Sequence, residues 1–243
     1  MTAQAQRGAH SSDTQAETQQ IFELANQARA QAGVGRLQWD QALAEAAMQH
    51  CQLMAAEGAI SHRYQGEPDL SARTAAAGAS FNVIEENVAT GPSGAGIHDE
   101  WMHSPGHRAN LLSPSVNRVG IAVVAARGIL YAVADYSHGV EKLTPPQVEA
   151  RVAALLRRGG VQIARDPSLA RQACETDDGI PSAPGEPTPK FVMRFQNSDL
   201  SRLPQELSSK LASGRFHQAA VGSCEAQVSE GPYTAYRVAV LLY

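Results

Sequence analysis

The stretch that decides the fold runs from Glu100 to Leu112 and reads Glu-Trp-Met-His-Ser-Pro-Gly-His-Arg-Ala-Asn-Leu-Leu. Ser104 is a residue type that caps helices, and Pro105 suits the first helical position. His107 then falls in the first turn of a helix, where backbone N–H groups have no partner within the helix. We therefore expect the His107 imidazole to face a cleft, while the two leucines that end the stretch anchor the turn in a core.

The residues before this stretch predict two amphipathic helices and a strand. Apolar residues recur at helical spacing over residues 21–28 and again over residues 43–54, and Asp40 is a good N-cap for the second helix. Ser61-His62 follows that helix. The segment Glu86-Asn87-Val88-Ala89 is typical of a strand, and alternation places Glu86 and Val88 on one face of it.

After the stretch, residues 119–123 and 129–133 are apolar segments separated by a short turn, which predicts a hairpin. In this order the motifs resemble the CAP superfamily, and Ser-Pro-Gly-His-Arg-Ala-Asn-Leu-Leu resembles the signature of its bacterial branch. The superfamily includes sperm-coating proteins, antigen-5-like venom proteins and class 1 plant pathogenesis-related proteins. The resemblance covers residues 18–139. It implies an α+β fold, a three-layer α-β-α sandwich with a central antiparallel sheet.

The resemblance also implies a cleft lined by His62, Glu86, Ser104 and His107. Two neutral imidazoles and a carboxylate are suitable ligands for Zn²⁺ or another divalent cation, so His62, Glu86 and His107 are candidate metal ligands. The family often has a second glutamate three residues after the helix tryptophan. This chain has Ser104 there, which lowers the number of carboxylates. No Gly-x-Ser-x-Gly elbow supports a hydrolase triad, so helix capping accounts better for Ser104.

Three classes of function are consistent with these features. The favoured one is a non-catalytic binding module whose His/Glu cleft takes a lipid-like small molecule, a divalent metal or an envelope partner protein. The first alternative is a metal-assisted hydrolase, protease-like or nuclease-like, that uses His62, Glu86 and His107. The second is a structural scaffold with a vestigial cleft.

Bulk properties exclude other partners. A formal charge of −4 and a pI near 6.1 leave no basic excess for nucleic acid. No run approaches 18 apolar residues, so no transmembrane segment is predicted.

The first seventeen residues are polar, and we predict a disordered tail over 1–17. Ala3-Gln4-Ala5 is similar to the small-residue pattern at a signal-peptide cleavage site. One hypothesis is therefore a secreted, periplasmic or envelope protein whose signal peptide has been removed. The alternative is a cytosolic protein with a disordered tail.

Three cysteines cannot all pair with one another. Cys51 lies within a helical pattern, whereas Cys174 and Cys224 lie far downstream. We predict a Cys174–Cys224 bridge with Cys51 free and buried, which would indicate an oxidising compartment. Three unpaired thiols are the alternative.

The second half of the chain needs its own account. Thr144-Pro145-Pro146 marks a predicted linker over residues 140–147, and an α+β domain is predicted over 148–243. Two helices, a strand, a helix and a terminal hairpin repeat the order of the first half. One hypothesis is a shortened, degenerate CAP-like repeat without counterparts of His62 and Glu86. The alternative is an unrelated α+β domain.

Overall fold

The computed structural model describes residues 3–225 and 232–243, with side chains from residue 13 onward. The chain divides into two compact units. The first comprises residues up to 139 together with a short segment that ends at Tyr233, and the second comprises the remaining residues from Val140 onward. Within the described ranges, no helix has the length and apolar character needed to cross a bilayer.

Among its described residues, the first unit has five helices and four strands, and it confirms the predicted α+β sandwich. The helices are α1 (Ala3–Gln31), α2 (Gln41–Glu57), α3 (Leu70–Ala76), α4 (Gly94–His103) and α5 (Pro105–Leu112). The strands are β1 (Gln38–Trp39), β2 (Phe81–Gly91), β3 (Arg118–Ala126) and β4 (Ile129–Gly139).

These strands form one sheet in the order β1-β3-β4-β2. All pairs are antiparallel except β1 with β3, which run parallel. One face packs on α1, α4 and α5 through a core that includes Ile21, Trp101 and Leu111. The other face packs on α2 through Cys51, Met54 and Val88. The sheet therefore lies between two helical layers.

The prediction of a disordered tail over residues 1–17 is wrong from residue 3 onward, because α1 begins at Ala3. The segment is rich in alanine and glutamine, which are strong helix formers, and it contains no proline. Glu17 also accepts a hydrogen bond from the backbone N–H of Gly94 at the start of α4. Polarity was therefore a poor guide to disorder here.

The second unit has three helices and four strands among its described residues. The helices are α6 (Pro145–Arg158), α7 (Ser168–Glu175) and α8 (Gln205–Ala212). The strands are β5 (Gln162–Ile163), β6 (Phe191–Asn197), β7 (Gln218–Cys224) and β8 (Tyr236–Leu242). The predicted linker over 140–147 is too long, because a capping box between Thr144 and Gln147 starts α6 at Pro145.

The two sheets share one topology. The second sheet has the order β5-β7-β8-β6, with β5 parallel to β7 and the other pairs antiparallel, as in the first. In each sheet, a glycine lies where a strand packs closely against the backbone of a helix. A Cβ on Gly120 would lie 2.0 Å from the backbone nitrogen of Ala44, and a Cβ on Gly222 would lie 2.1 Å from that of Arg171. This shared topology is the outcome that the repeat hypothesis requires.

A disulfide links Cys174 on α7 to Cys224 at the end of β7, with a Cα–Cα distance of 5.8 Å. Cys51 is the free cysteine, and it is buried between α2 and the sheet. Burial raises the pKa of its thiol to about 12, so Cys51 is an inert packing residue.

Candidate functional site

The candidate site comprises the three residues His62, Glu86 and His107 of the first unit, which the sequence predicts to line a cleft. His62 lies in the loop between α2 and α3, Glu86 lies on β2, and His107 lies in the first turn of α5. The structure brings His62 and Glu86 into direct contact, with 2.7 Å between His62 Nδ1 and Glu86 Oε1. The Glu86 side chain is buried, whereas that of His62 is 60% exposed.

The Glu86 carboxylate has a second partner that the sequence analysis missed. The guanidinium of Arg73, on α3, donates to Glu86 Oε2, and its side chain is only 5% exposed. One oxygen thus faces His62 and the other faces Arg73. Glu86 is therefore a buried carboxylate whose negative charge is offset by the guanidinium of Arg73.

A second missed residue, Asp135, lies opposite Glu86 on β4. It is completely buried, and neither of its carboxylate oxygens accepts a hydrogen bond from the described residues. Burial, followed by the charge of Glu86, raises the pKa of Asp135 well above its usual range. The protonated form of Asp135 is therefore favoured beside Glu86. A carboxylate inside the apolar run of β4 was the signal that could have identified it.

The loop that carries His62 is fixed by His50. His50 is fully buried on α2. Its Nδ1 lies 2.6 Å from Glu67 Oε1, and its Nε2 lies 2.7 Å from the backbone oxygen of Ser61. Both ring nitrogens therefore hold the loop on either side of His62.

Two asparagines attach α5 to β2. Asn87 Nδ2 donates to the backbone oxygen of His107 at 2.9 Å. Asn110 Nδ2 donates to the backbone oxygen of Glu86 and to Asn87 Oδ1, each at 3.0 Å. These bonds fix the backbone of His107 beside that of Glu86. Each asparagine belongs to one of the two sequence motifs, Asn87 to that of β2 and Asn110 to that of α5.

The two imidazoles of the cleft have opposite electrostatic environments. The hydrogen bond to Glu86 raises the pKa of His62, and burial opposes this rise. Burial lowers the pKa of His107, and the charge of His62 lowers it further, while Glu100 acts in the opposite direction. His62 thus carries a proton more readily than His107, whose buried Nδ1 has no partner in the described part of the chain.

Ser104 stands at the N-cap of α5 with extended backbone, as predicted, but its side chain makes no capping bond. Its backbone N–H donates to Glu100, and its backbone oxygen accepts from Arg108. The described hydrogen bonds include none from the Ser104 hydroxyl to His107 or Glu86. Proline at the first helical position, rather than the serine side chain, starts the helix.

The side chains described show no group of three His, Cys, Asp or Glu residues that could hold a metal ion. The proposed ligand set of His62, Glu86 and His107 remains a prediction. Arg73 argues against it, because its guanidinium already pairs with the Glu86 carboxylate and offsets the negative charge that would attract a cation. The residues as arranged therefore fit an ion-paired cleft better than a metal centre.

A groove of about 700 Å³ lies against the other face of α5. Its apolar walls include Met102, Leu112 and Pro114, and Glu85 contributes a carboxyl group. Burial raises the pKa of Glu85, and one of its oxygens has no hydrogen-bond partner among the described groups. The side chains of Glu85 and Glu86 thus lie on opposite faces of β2.

Comparison with known proteins assigns the sandwich of the first unit to a class. The sequence profile of the cysteine-rich secretory protein (CAP) family matches residues 22–136. The first unit therefore belongs to the CAP superfamily, as the sequence motifs predicted.

Two relatives come from Bacillus subtilis. The uncharacterized membrane protein YlbC is 31% identical over 105 residues, which are 43% of this chain and 30% of YlbC. The uncharacterized protein YkwD is 28% identical over 119 residues, which are 49% of this chain and 46% of YkwD. This chain therefore spans less than half of either relative.

Two solved structures give similar partial matches. An extracellular SCP-domain protein from Bacillus anthracis has a TM-score of 0.48 and 27% identity, over 51% of this chain and 41% of that one. An outer surface protein from Borrelia burgdorferi has a TM-score of 0.49 and 20% identity, over 52% of this chain and 96% of that one.

Proposed function

We propose that this protein is a secreted or envelope-associated binding protein whose first unit holds a small ligand at the cleft of His62 and His107. The observation that carries the proposal is the double engagement of Glu86. Because Arg73 and His62 occupy its two oxygens, Glu86 orients His62 and is not available as a base. The exposed imidazole of His62 is then the group presented to a ligand.

The chemistry of the cleft favours a ligand with an acidic head group. His62, with its raised pKa, can donate a hydrogen bond from a cationic ring, and His107 remains neutral beside it. A carboxylate or a phosphate accepts such bonds strongly. A fatty acid is a lipid-like small molecule with such a head group, and it is the ligand class that we propose.

A hydrolase has less support from the same residues. Neither Ser104 nor Cys51 is a plausible nucleophile, since the Ser104 hydroxyl makes no bond to His107 and the Cys51 thiol is buried with a raised pKa. A nucleophile needs a base within hydrogen-bond reach. Metal-assisted hydrolysis would in addition need Glu86 to leave Arg73.

Calorimetry with a matched set of probes tests the proposal. A long-chain fatty acid, its methyl ester and the corresponding alcohol are titrated into the intact protein. We expect the acid to bind more tightly than the ester, and its affinity to fall in His62→Gln and in His107→Gln. His217→Gln, at an exposed histidine of the second unit, is the control and should bind as the wild type does. Equal affinity for acid and ester, or full binding by both cleft variants, would overturn the proposal.

A zinc titration of the same metal-free proteins tests the alternative ligand. One-site zinc binding that disappears in His62→Gln and His107→Gln would favour the metal site over the acidic ligand, and would justify a screen for hydrolysis.

A further inference from the structure

Five cationic side chains from four segments of the chain converge at one end of the second unit. β5, β6 and β7 all begin at this end, because β5 runs parallel to β7 while β6 and β7 are both antiparallel to β8. α6 and α8 end here as well, since a Cβ on Gly159, the residue after α6, would lie 3.7 Å from Leu211 Cδ1 of α8. We call this surface the basic end, and its cations are Arg157, Arg158, Lys190, Lys210 and Arg215.

Direct contacts join these segments into one surface. The backbone N–H of Gln162, which follows α6 closely in the chain, donates to the backbone oxygen of His217 at 2.9 Å. The ammonium group of Lys210 lies 5.0 Å from the centre of the Phe191 ring at the start of β6. That ring in turn lies 6.5 Å, between centroids, from the ring of Phe216, which precedes β7. The ends of α6 and α8 and the starts of β6 and β7 are therefore neighbours.

The cations of the basic end have no carboxylate partner. Four of the five residues are exposed and one is half-buried. None of them forms an ion pair within the described part of the chain, whereas three other arginines of this unit do, namely Arg151, Arg171 and Arg237. Two acidic residues, Glu186 and Glu206, precede Lys190 and Lys210 by four positions each. Positive charge is thus in excess at this end of a chain whose formal charge is −4.

Helix stability accounts for only part of this cluster. Cations in the last turn of a helix interact favourably with its dipole, and Arg157, Arg158 and Lys210 have such positions in α6 and α8. Lys190 and Arg215 lie outside the described helices, so the helix dipoles do not explain them. Like charges that are brought together repel one another, and an anionic partner would relieve this repulsion.

We propose that the basic end docks the protein on a membrane surface that contains anionic phospholipids. Clusters of about four to eight lysines and arginines are attracted to such lipids. Because the cations come from four segments, each can contact a different head group of a planar array. A single-stranded nucleic acid fits less well, since Phe191 and Phe216 pack against the core and are not free to stack on bases. The docking surface belongs to the second unit and is independent of the ligand cleft in the first.

Vesicle cosedimentation with the intact protein tests this proposal. The vesicles contain phosphatidylcholine alone, or a two-to-one mixture of phosphatidylcholine and phosphatidylglycerol. We expect binding to the mixture only, and weaker binding as the salt concentration rises, because salt screens exposed charges. Arg157→Gln/Arg158→Gln should lower the affinity about thirtyfold, at about fivefold for each charge. Arg165→Gln/Arg202→Gln removes two exposed arginines that follow β5 and β6, and this matched control should bind as the wild type does.

A second pair of substitutions keeps the test independent of the end of α6. Lys210→Gln/Arg215→Gln should weaken vesicle binding by a similar factor, while circular dichroism verifies that each variant is folded. His62→Gln should bind vesicles as the wild type does, which separates this surface from the ligand cleft. Equal binding to both kinds of vesicle, or full binding by both variants of the basic end, would contradict the proposal. So would binding of soluble polyphosphate or of a DNA oligonucleotide without binding of vesicles, because a phosphate polymer would then be the partner.

Discussion

Removal of the Arg73 guanidinium is the sharpest test of the charge arrangement beneath the cleft. In Arg73→Met, Glu86 loses the cation that neutralises it while both side chains are at most 5% exposed. Breaking a buried ion pair by deleting one partner costs about 3–5 kcal/mol. We therefore expect a loss of about 4 kcal/mol in the free energy of unfolding.

Urea denaturation followed by far-UV circular dichroism measures this loss. Thermal unfolding of the first unit should shift down by about 8–16 °C, at about 2–4 °C per kcal/mol. Arg63→Met, which removes an exposed arginine from the His62 loop, is the control and should change stability little. The double variant Arg73→Met/Glu86→Gln leaves no buried charge at this position, so it should recover part of the loss.

Two results would refute this reasoning. A loss below about 1 kcal/mol would place the Arg73–Glu86 pair among the weak surface contacts. A double variant no more stable than Arg73→Met would mean that the methionine, and not the unpaired carboxylate, causes the loss.

Three further predictions concern the disulfide, the sheet and the cleft. Replacing Cys174 and Cys224 by serine should destabilise the second unit by about 4 kcal/mol, from loop entropy over a separation of 50 residues, as calorimetry would measure. Gly120→Ala should lower the melting temperature or prevent folding, because its Cβ would overlap helix backbone. The His62–Glu86 contact should stabilise the protein below the unfolded pKa of histidine and fade as pH rises through the raised folded pKa. NMR titration of the His62 ring should show a lower pKa in Glu86→Gln.

Much of the first unit followed from local patterns in the sequence. Helical spacing located α2 to within a few residues, and strand alternation separated the face of Glu86 and Val88 from that of Asn87. Proline at the start of α5 placed His107 in the first turn of that helix, as the structure has it. Each of these signals is a property of neighbouring residues, which is why the chain alone could reveal it.

The partners of the cleft residues could not be predicted from local patterns in the sequence. Arg73 is a single cation in an alanine-rich helix, and its pairing with Glu86 depends on how α3 lies across the sheet. The role of His50 likewise depends on a loop returning to α2 over eleven residues. Asp135 was the exception, because a carboxylate within an apolar strand is visible in the sequence itself. In the second unit, the hydrogen bond from the Ser223 N–H to Glu149 likewise joins residues that are 74 positions apart.

The shared strand order also governs how each unit can assemble during synthesis. In both sheets the strand made last, β4 or β8, lies at the centre, between a hairpin partner and a strand made much earlier. β2 and β6 therefore leave the ribosome with no strand to pair with, and their hydrogen-bonding edges stay exposed until the final hairpin arrives. Such long-range pairing folds slowly and exposes edges to aggregation. Each unit is thus completed in a single late step, and a chain that stops before β8 has the outer strands of its second sheet but not the strand that joins them.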